Sequence, residues 1–286
     1  MNRPLVSILV AVLAIGSILA FSGCLGEDGI SAPQKAAVVK VAGSTTVMPL
    51  VEASAEEFNR IQDGVRVSVS GGGTGVGIKN VAEGLADIAM SSRDVKPEEI
   101  ASYGDRFVEF LVAYDAIALV VSDPIYEAGI TDLSREEVRA IYSGDVANWK
   151  DLGGPDEKIY VVAREVGSGT RDTFNAMVMG REGAETPGVT TYHGSNAEVK
   201  TAVTRSDKAI GYVGMNYLEG GAFRAVAFQG VEAREETIKG GSYPLSRALL
   251  LYTFGEPSPE VRAFIDFILS EEGQKIVAES GFVPVR

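Results

Sequence analysis

The sequence predicts an α/β protein built as two layered halves joined by two crossings. Three observations lead there. Strand-like and helix-like patterns alternate along most of the chain. A strand, Gly-Ser turn and helix occur in that order twice, around "AGSTT" and "VGSGT", far apart in the sequence. A β-branched and aromatic run from Phe107 to Ser122 exceeds the usual strand length, so it is expected to bend or to pass between the halves near Tyr114 and Asp115.

The N-terminal stretch stands apart. Arg3 precedes an uncharged run from Leu5 to Phe21, and Ser22 and Gly23 lead to Cys24, the pattern of an export signal over residues 1–23. Cys24 is the one cysteine in 286 residues, which excludes an intrachain disulfide, a redox pair and a Cys-based zinc site. "FSGC" is similar to the lipobox of prokaryotic lipoproteins, which makes Cys24 the expected lipidation site. Residues 24–37, mixing Gly, Pro, Ser and charge, then form a tether, and folding begins near Val38. The net charge of -13 rests on 39 acidic against 26 basic residues, and removal of the leader takes away only Arg3. Nucleic acid is excluded as a natural partner because its backbone demands basic surface.

Within the folded part, "AAVVKVAG" reads as a strand ending on Gly43, and Pro49 through Asn59 place Leu50, Val51, Ala55 and Phe58 on one helical face. "VRVSVS" alternates as a half-buried strand, and the glycine-rich "GGGTGVGIKN" opens the next helix. Ser-x-x-Glu pairs at Ser134/Glu137 and Ser195/Glu198 mark helix starts. "KIYVVARE" is a strand that delivers Arg164 to the second Gly-Ser turn, "AIGYVGM" is a strand able to bring the chain back, and the tail is amphipathic helix in two pieces, the first from Pro259 to Leu269. The halves are therefore expected to be residues 38–113 with 215–286, and residues 114–214.

The repeated turn carries the chemistry. A strand turning through Gly-Ser into a helix leaves backbone N–H groups unpaired with the positive end of the peptide dipoles behind them, and glycine lets a guest approach closely. Thr45, Ser168 and Thr170 would meet a tetrahedral oxyanion from two sides, and Thr74 in the glycine loop adds a third. Each hydroxyl alone reads better as a cap on its own helix; the repetition favours a shared site. The glycine loop fits neither the dinucleotide fingerprint nor a P-loop, since Ile78 precedes Lys79 and Asn80 follows it. Arg164 can hold two oxygens of one guest with its planar fork, against the alternative of a surface pair with Glu165 or Asp172. Arg93 is a second candidate, weighed against Asp94 or Glu98.

"GSTTVMPL", "GGGTGVGIKN", "ADIAMSSR", "LSREEVRAIYSGDVANWKDLGG", "REVGSGTRDTF", "AIGYVGMNY" and "YPLSR" stand in the order and spacing of the phosphate-binding proteins of ABC phosphate importers, and the chain from about Val38 to Arg286 closely resembles that family. The resemblance implies a two-lobed periplasmic-binding-protein clamshell of type II with two hinge crossings, inorganic phosphate held between the lobes, ABC permease subunits as partner, monomeric behaviour, no cofactor, no metal and no catalysis. It points to Thr45, Thr46, Thr74, Arg164, Ser168, Gly169 and Thr170 as ligand-binding residues, and Ser44, Ser92 and Arg93 beside them complete the candidate set. The chain departs from the family at Ser92, where many relatives carry an aspartate that accepts the phosphate proton; Glu165 and Asp172 are the expected substitutes. With the export signal, the resemblance implies an extracytoplasmic protein touching membrane only through its lipid anchor.

Two other readings compete. Another tetrahedral oxyanion, sulfate, molybdate or tungstate, would suit the same turns. An exported hydrolase using Ser168 lacks the Gly-x-Ser-x-Gly elbow, since Val166 and Thr170 hold the glycine positions, and has His193 alone as a base. The one tryptophan, Trp149, reads as core.

Overall fold

In the computed structural model, residues 36–286 are described; Arg3, Cys24 and the expected leader and tether up to residue 35 lie outside them. Ten strands form one curled mixed sheet: β1 (Ala37–Gly43), β2 (Val65–Ser70), β3 (Ile88–Ser91), β4 (Phe107–Ser122), β5 (Asp132–Leu133), β6 (Tyr160–Arg164), β7 (Thr191–His193), β8 (Ala209–Gly214), β9 (Phe223–Phe228) and β10 (Ser246–Phe254). The order is β2-β1-β3-β10-β4-β8-β6-β7, with β9 on β4 and β5. Strands linked through helices pair in parallel, β1 with β2 and β3, and β6 with β7 and β8. The crossing strands β4 and β10 are antiparallel to their neighbours.

The length of β4 has the expected consequence. It pairs with β10 from Phe107 to Ala116, then with β8 from Ile117 and with β9 from Leu119, so one strand serves both ends of the sheet and changes partners beside Asp115. Apolar side chains gather into two principal cores on either side of that point. One contains Val41, Leu50, Phe58, Ile88, Leu249 and Phe264; the other contains Tyr142, Trp149, Phe174, Tyr212, Phe228 and Tyr243. The helix Met48–Ile61 lays its predicted apolar stripe on the first core, and helices Pro259–Leu269 and Glu271–Glu279 complete it.

The packing shifts one boundary. The chain was expected to rejoin the first half at Met215, but β9 pairs with the far end of β4, and Phe228, Ile238, Tyr243 and Leu245 are buried in the second core. The return falls at Ser246–Arg247, where β10 pairs with Tyr114 to Ala116. Apolar alternation marks 223–228 as a strand without saying which core it covers.

Local signals act as expected. Ser134 Oγ accepts from Glu137 N at 3.2 Å while the Glu137 carboxylate accepts from Ser134 N at 2.8 Å, a complete capping box. At the second pair, Ser195 Oγ accepts from Glu198 N at 3.1 Å, but the Glu198 side chain reaches Gly194 N instead. Trp149 is fully buried, its Nε1 donating to Lys208 O at 3.0 Å. Among the described residues no helix is long and apolar enough to cross a membrane.

Candidate functional site

The two Gly-Ser turns face one another. β1 ends on Gly43, whose φ of +132° and whose position, 2.4 Å from Met90 O for an added Cβ, admit no side chain. The turn after it buries Ser44, Thr45 and Thr46. β6 ends on Arg164, and Gly167 and Ser168 turn the chain into the helix Gly169–Phe174. Phe174 stacks on Tyr212 at 4.2 Å between ring centroids, and the Tyr212 hydroxyl accepts from Arg164 N at 3.2 Å. The second core thus fixes both ends of this turn. Burial pushes the Tyr212 hydroxyl up to about 12, so it stays a neutral partner at physiological pH.

Direct contacts join the turns. Gly75 N of the glycine loop donates to Gly167 O at 3.0 Å, and Thr46 Oγ1 lies 2.9 Å from Thr170 Oγ1. A Cβ on Gly169 would stand 2.5 Å from Thr74 Oγ1 and 2.6 Å from Ser92 Oγ, so only glycine permits this approach. Ser44 Oγ donates to Ser92 Oγ at 3.1 Å, and Ser92 N donates to Thr74 Oγ1 at 3.2 Å. Nine of the ten residues expected to bind the guest therefore fall around one place, all of them buried except for parts of the surrounding loops. Beside them opens a cavity of about 350 Å³ lined by Thr45, Gly72, Gly73, Arg164, Ser168 and Gly194, among others. A larger groove of about 790 Å³, lined by Pro124, Ile125, Tyr160, Ala202 and Lys208 among others, contains none of these residues.

Arg164 is the electrostatic centre. It is 2% exposed, its Nε donates to His193 O at 3.2 Å and its Nη2 to Gly194 O at 2.7 Å, and it forms no ion pair with a carboxylate among the described residues. Burial pushes its pKa down to about 10, still well above neutrality, so the fold holds a buried guanidinium charge whose direct hydrogen-bond partners are carbonyl oxygens. The alternative of a surface pair with Glu165 or Asp172 does not occur. Ser168 Oγ caps the helix by accepting from Arg171 N at 3.2 Å, and the same residue lines the cavity.

Arg93 is the tenth residue, and it is engaged elsewhere. Its Nε donates to Asp172 at 2.9 Å and its Nη1 and Nη2 each reach Glu99 at 2.8 Å. Lys96 Nζ adds a second cation to Asp172 at 2.8 Å. Arg93 and Asp172 thus tie the two halves together as an ion pair beside the site, and neither lines the cavity. Glu165 lines its mouth with an exposed side chain.

Three residues at the centre were not assigned to the site from sequence. Asp115 and Arg247 are register partners on β4 and β10, and Asp115 Oδ2 accepts from Arg247 Nε at 2.9 Å and Nη2 at 2.6 Å. Arg247 also donates through Nη1 to Thr170 Oγ1 at 2.8 Å and through Nη2 to Thr46 Oγ1 at 3.3 Å. Burial raises the Asp115 carboxyl, opposed by the Arg247 guanidinium and the Met215 amide. Asn196 Nδ2 donates to Thr46 Oγ1 at 2.9 Å and to Thr45 Oγ1 at 3.3 Å, its orientation fixed because Oδ1 accepts from Gly214 N at 3.2 Å. A signal existed for Asp115, the one charged residue between Phe110 and Ser122, and for Arg247, which opens an apolar strand.

Two cores spanned by a crossing strand, with facing turns between them, define a type II periplasmic-binding fold, and solved structures match it. One from Clostridium perfringens, of a proposed substrate-binding protein of a phosphate ABC transporter with bound phosphate, is 38% identical with a TM-score of 0.79, covering 87% of this chain and 100% of that one. A phosphate transport receptor from Vibrio cholerae is 32% identical with a TM-score of 0.70, covering 86% and 99%. The sequence profile described as the PBP superfamily domain matches residues 31–272. The phosphate-binding protein PstS of Bacillus subtilis (strain 168) is 33% identical over 294 residues, covering all of this chain and 95% of the relative. The chain belongs to the PBP superfamily and, within it, to the family of these phosphate-binding proteins.

Proposed function

We propose that this chain is an extracytoplasmic solute-binding protein that captures inorganic phosphate between its two halves and hands it to the permease of an ABC importer. The observation that carries the reading is the buried guanidinium of Arg164, unpaired with any described carboxylate and facing a cavity lined by Thr45 and Ser168. A buried cation without an anion costs folding free energy that a bound oxyanion offsets. Relatives named for phosphate and covered almost end to end support the identity of the guest.

In this reading the ligand-binding residues are Ser44, Thr45, Thr46, Thr74, Ser92, Arg164, Ser168, Gly169 and Thr170, with Arg247 and Asn196 orienting the hydroxyls. Residues up to 113 and from 246 onward form one lobe and residues 114–245 the other. Cys24 carries the lipid anchor, and the folded part acts as a monomer. In this reading the protein binds and releases its guest without turning it over: among the described residues Ser168 Oγ accepts from Arg171 N and His193 Nε2 lies 3.2 Å from Thr191 Oγ1, which lends the hydrolase reading no support. Titration calorimetry of the folded part with phosphate and arsenate tests the proposal. Saturable binding of one equivalent is expected; heats no larger than dilution for both anions would overturn it. A chromogenic phosphate ester is expected to remain intact.

A further inference from the structure

A guest held between two touching turns leaves only when they part. Outside the cavity, the same seam carries a group of charges whose two sides are held unequally. Arg93 is set in place by its own half: Nη1 and Nη2 each reach Glu99 at 2.8 Å, and Nη1 donates to Asp94 O at 2.7 Å. Lys96 stands at the start of the helix Pro97–Tyr103, its N donating to Glu99 at 2.8 Å. Across the seam, Asp172 Oδ2 accepts from Arg93 Nε at 2.9 Å and from Lys96 Nζ at 2.8 Å, and among the described residues no side chain of its own half pairs with it. Lys96 Nζ also lies 3.3 Å from Glu182, on the same side as Asp172. Parting the halves would take both cations from Asp172, whereas Arg93 would keep Glu99.

The placement of these charges couples them to the site. Asp172 lies on the short helix Gly169–Phe174, whose first residues stand between the halves, and Arg93 directly follows Ser92. Beside Asp172, Thr173 Oγ1 donates to Ser92 O at 3.3 Å. A Cβ on Gly169 would stand 3.2 Å from Arg93 Cγ, so the pair is carried by backbone that is already in contact where the turns meet. Closing removes water from Asp172, and two cations rather than one are there to offset that cost.

We propose that Asp172, gripped by Arg93 and Lys96 of the opposite half, is a clasp that holds the closed form and sets how long a guest is retained, without touching the guest. The inference rests on the binding reading above and adds to it the positioning residues that govern release. A guest held by the closed form dissociates through opening, so a weaker clasp speeds release, while encounter with the open form proceeds as before. Exposed ion pairs contribute little, but this one is shielded from water and salt, and its partners meet only on closure.

Loading the full chain with radiolabelled phosphate and chasing with unlabelled phosphate reads the release rate, and the calorimetric affinity then gives the association rate. Asp172→Asn, uncharged and of the same shape, is expected to release phosphate about tenfold faster, with association within about threefold of the unaltered protein. Lys96→Met is expected to speed release by a smaller factor and to add nothing in the Asp172→Asn background, a coupling that a merely structural loss would not show. Release within about twofold of the unaltered protein in both single variants, a loss confined to association, or independent factors that multiply in the double variant would overturn the clasp and leave phosphate capture standing. Absence of saturable phosphate binding by the unaltered chain would overturn the binding reading and the clasp with it. Should Asp172→Asn fail to fold, Lys96→Met decides alone: unchanged release sinks the proposal.

Discussion

In the proposed function, Arg164 is the residue on which binding turns. Its planar fork already spends Nε and Nη2 on the carbonyls of His193 and Gly194, which aims the remaining edge at the cavity. Charge-assisted hydrogen bonds contribute roughly 1.5–3 kcal/mol each, so Arg164→Ala is expected to weaken phosphate at least tenfold, read by calorimetry, with the circular dichroism spectrum retained. Arg164→Lys should restore little, because an ammonium holds its three donors on one nitrogen and lacks the planar fork that reaches separate acceptors. Gly169→Ala is a steric counterpart: its Cβ at 2.5 Å from Thr74 Oγ1 should push the turns apart, lowering phosphate affinity by more than it lowers the melting temperature. Sequence alone reached Arg164 and the hydroxyls because a repeated Gly-Ser-x-Thr turn is local. It missed Asp115, Asn196 and Arg247, which come together only through sheet register and long-range packing. It also left Arg93 as a candidate ligand, since nothing in "MSSRDV" shows that Asp172 and Glu99 will arrive beside it.

At the scale of elements, the crossing strands do two jobs. β4 is long enough to serve both cores, and its partner exchange beside Asp115 places a carboxylate in register with Arg247 where the two strands pass between the cores. Removing one member of a buried ion pair strands the other charge and typically costs about 3–5 kcal/mol. Asp115→Ala should therefore shift the urea midpoint down by an amount of that order, and the double variant Asp115→Ala with Arg247→Met should recover much of it. Additive losses in the two single variants and the double would show that the pair is not coupled. The length of the apolar run made this crossing legible in the sequence. The return was not: the stretch from Phe223 to Leu245 alternates like any strand and loop, and only its burial against Trp149, Tyr212 and their neighbours assigns it to the second core.

Across the whole molecule, an acidic protein holding an anion is consistent once distances are considered. The -13 charge is spread over the sequence, and exposed charges are screened over about 8 Å at physiological salt, whereas the buried Arg164 and hydroxyls would act on a guest at contact range. Salt should accordingly affect phosphate affinity less than it affects binding at an exposed basic surface. A ligand that binds only the folded state stabilises it by mass action, by about 2.7 kcal/mol when its free concentration is a hundredfold above Kd. Phosphate should therefore raise the melting temperature in a concentration-dependent way, and Arg164→Ala should cut that rise to about half or less at the same phosphate concentration.

The most direct test of the central claim is a crystal structure of the folded part grown with arsenate, whose arsenic is located by anomalous scattering. The account predicts one arsenic position between the Ser44–Thr46 and Ser168–Thr170 turns, with Arg164 donating to an arsenate oxygen. A peak in the groove near Pro124 and Lys208, or none beside Arg164 at saturating arsenate, would contradict it.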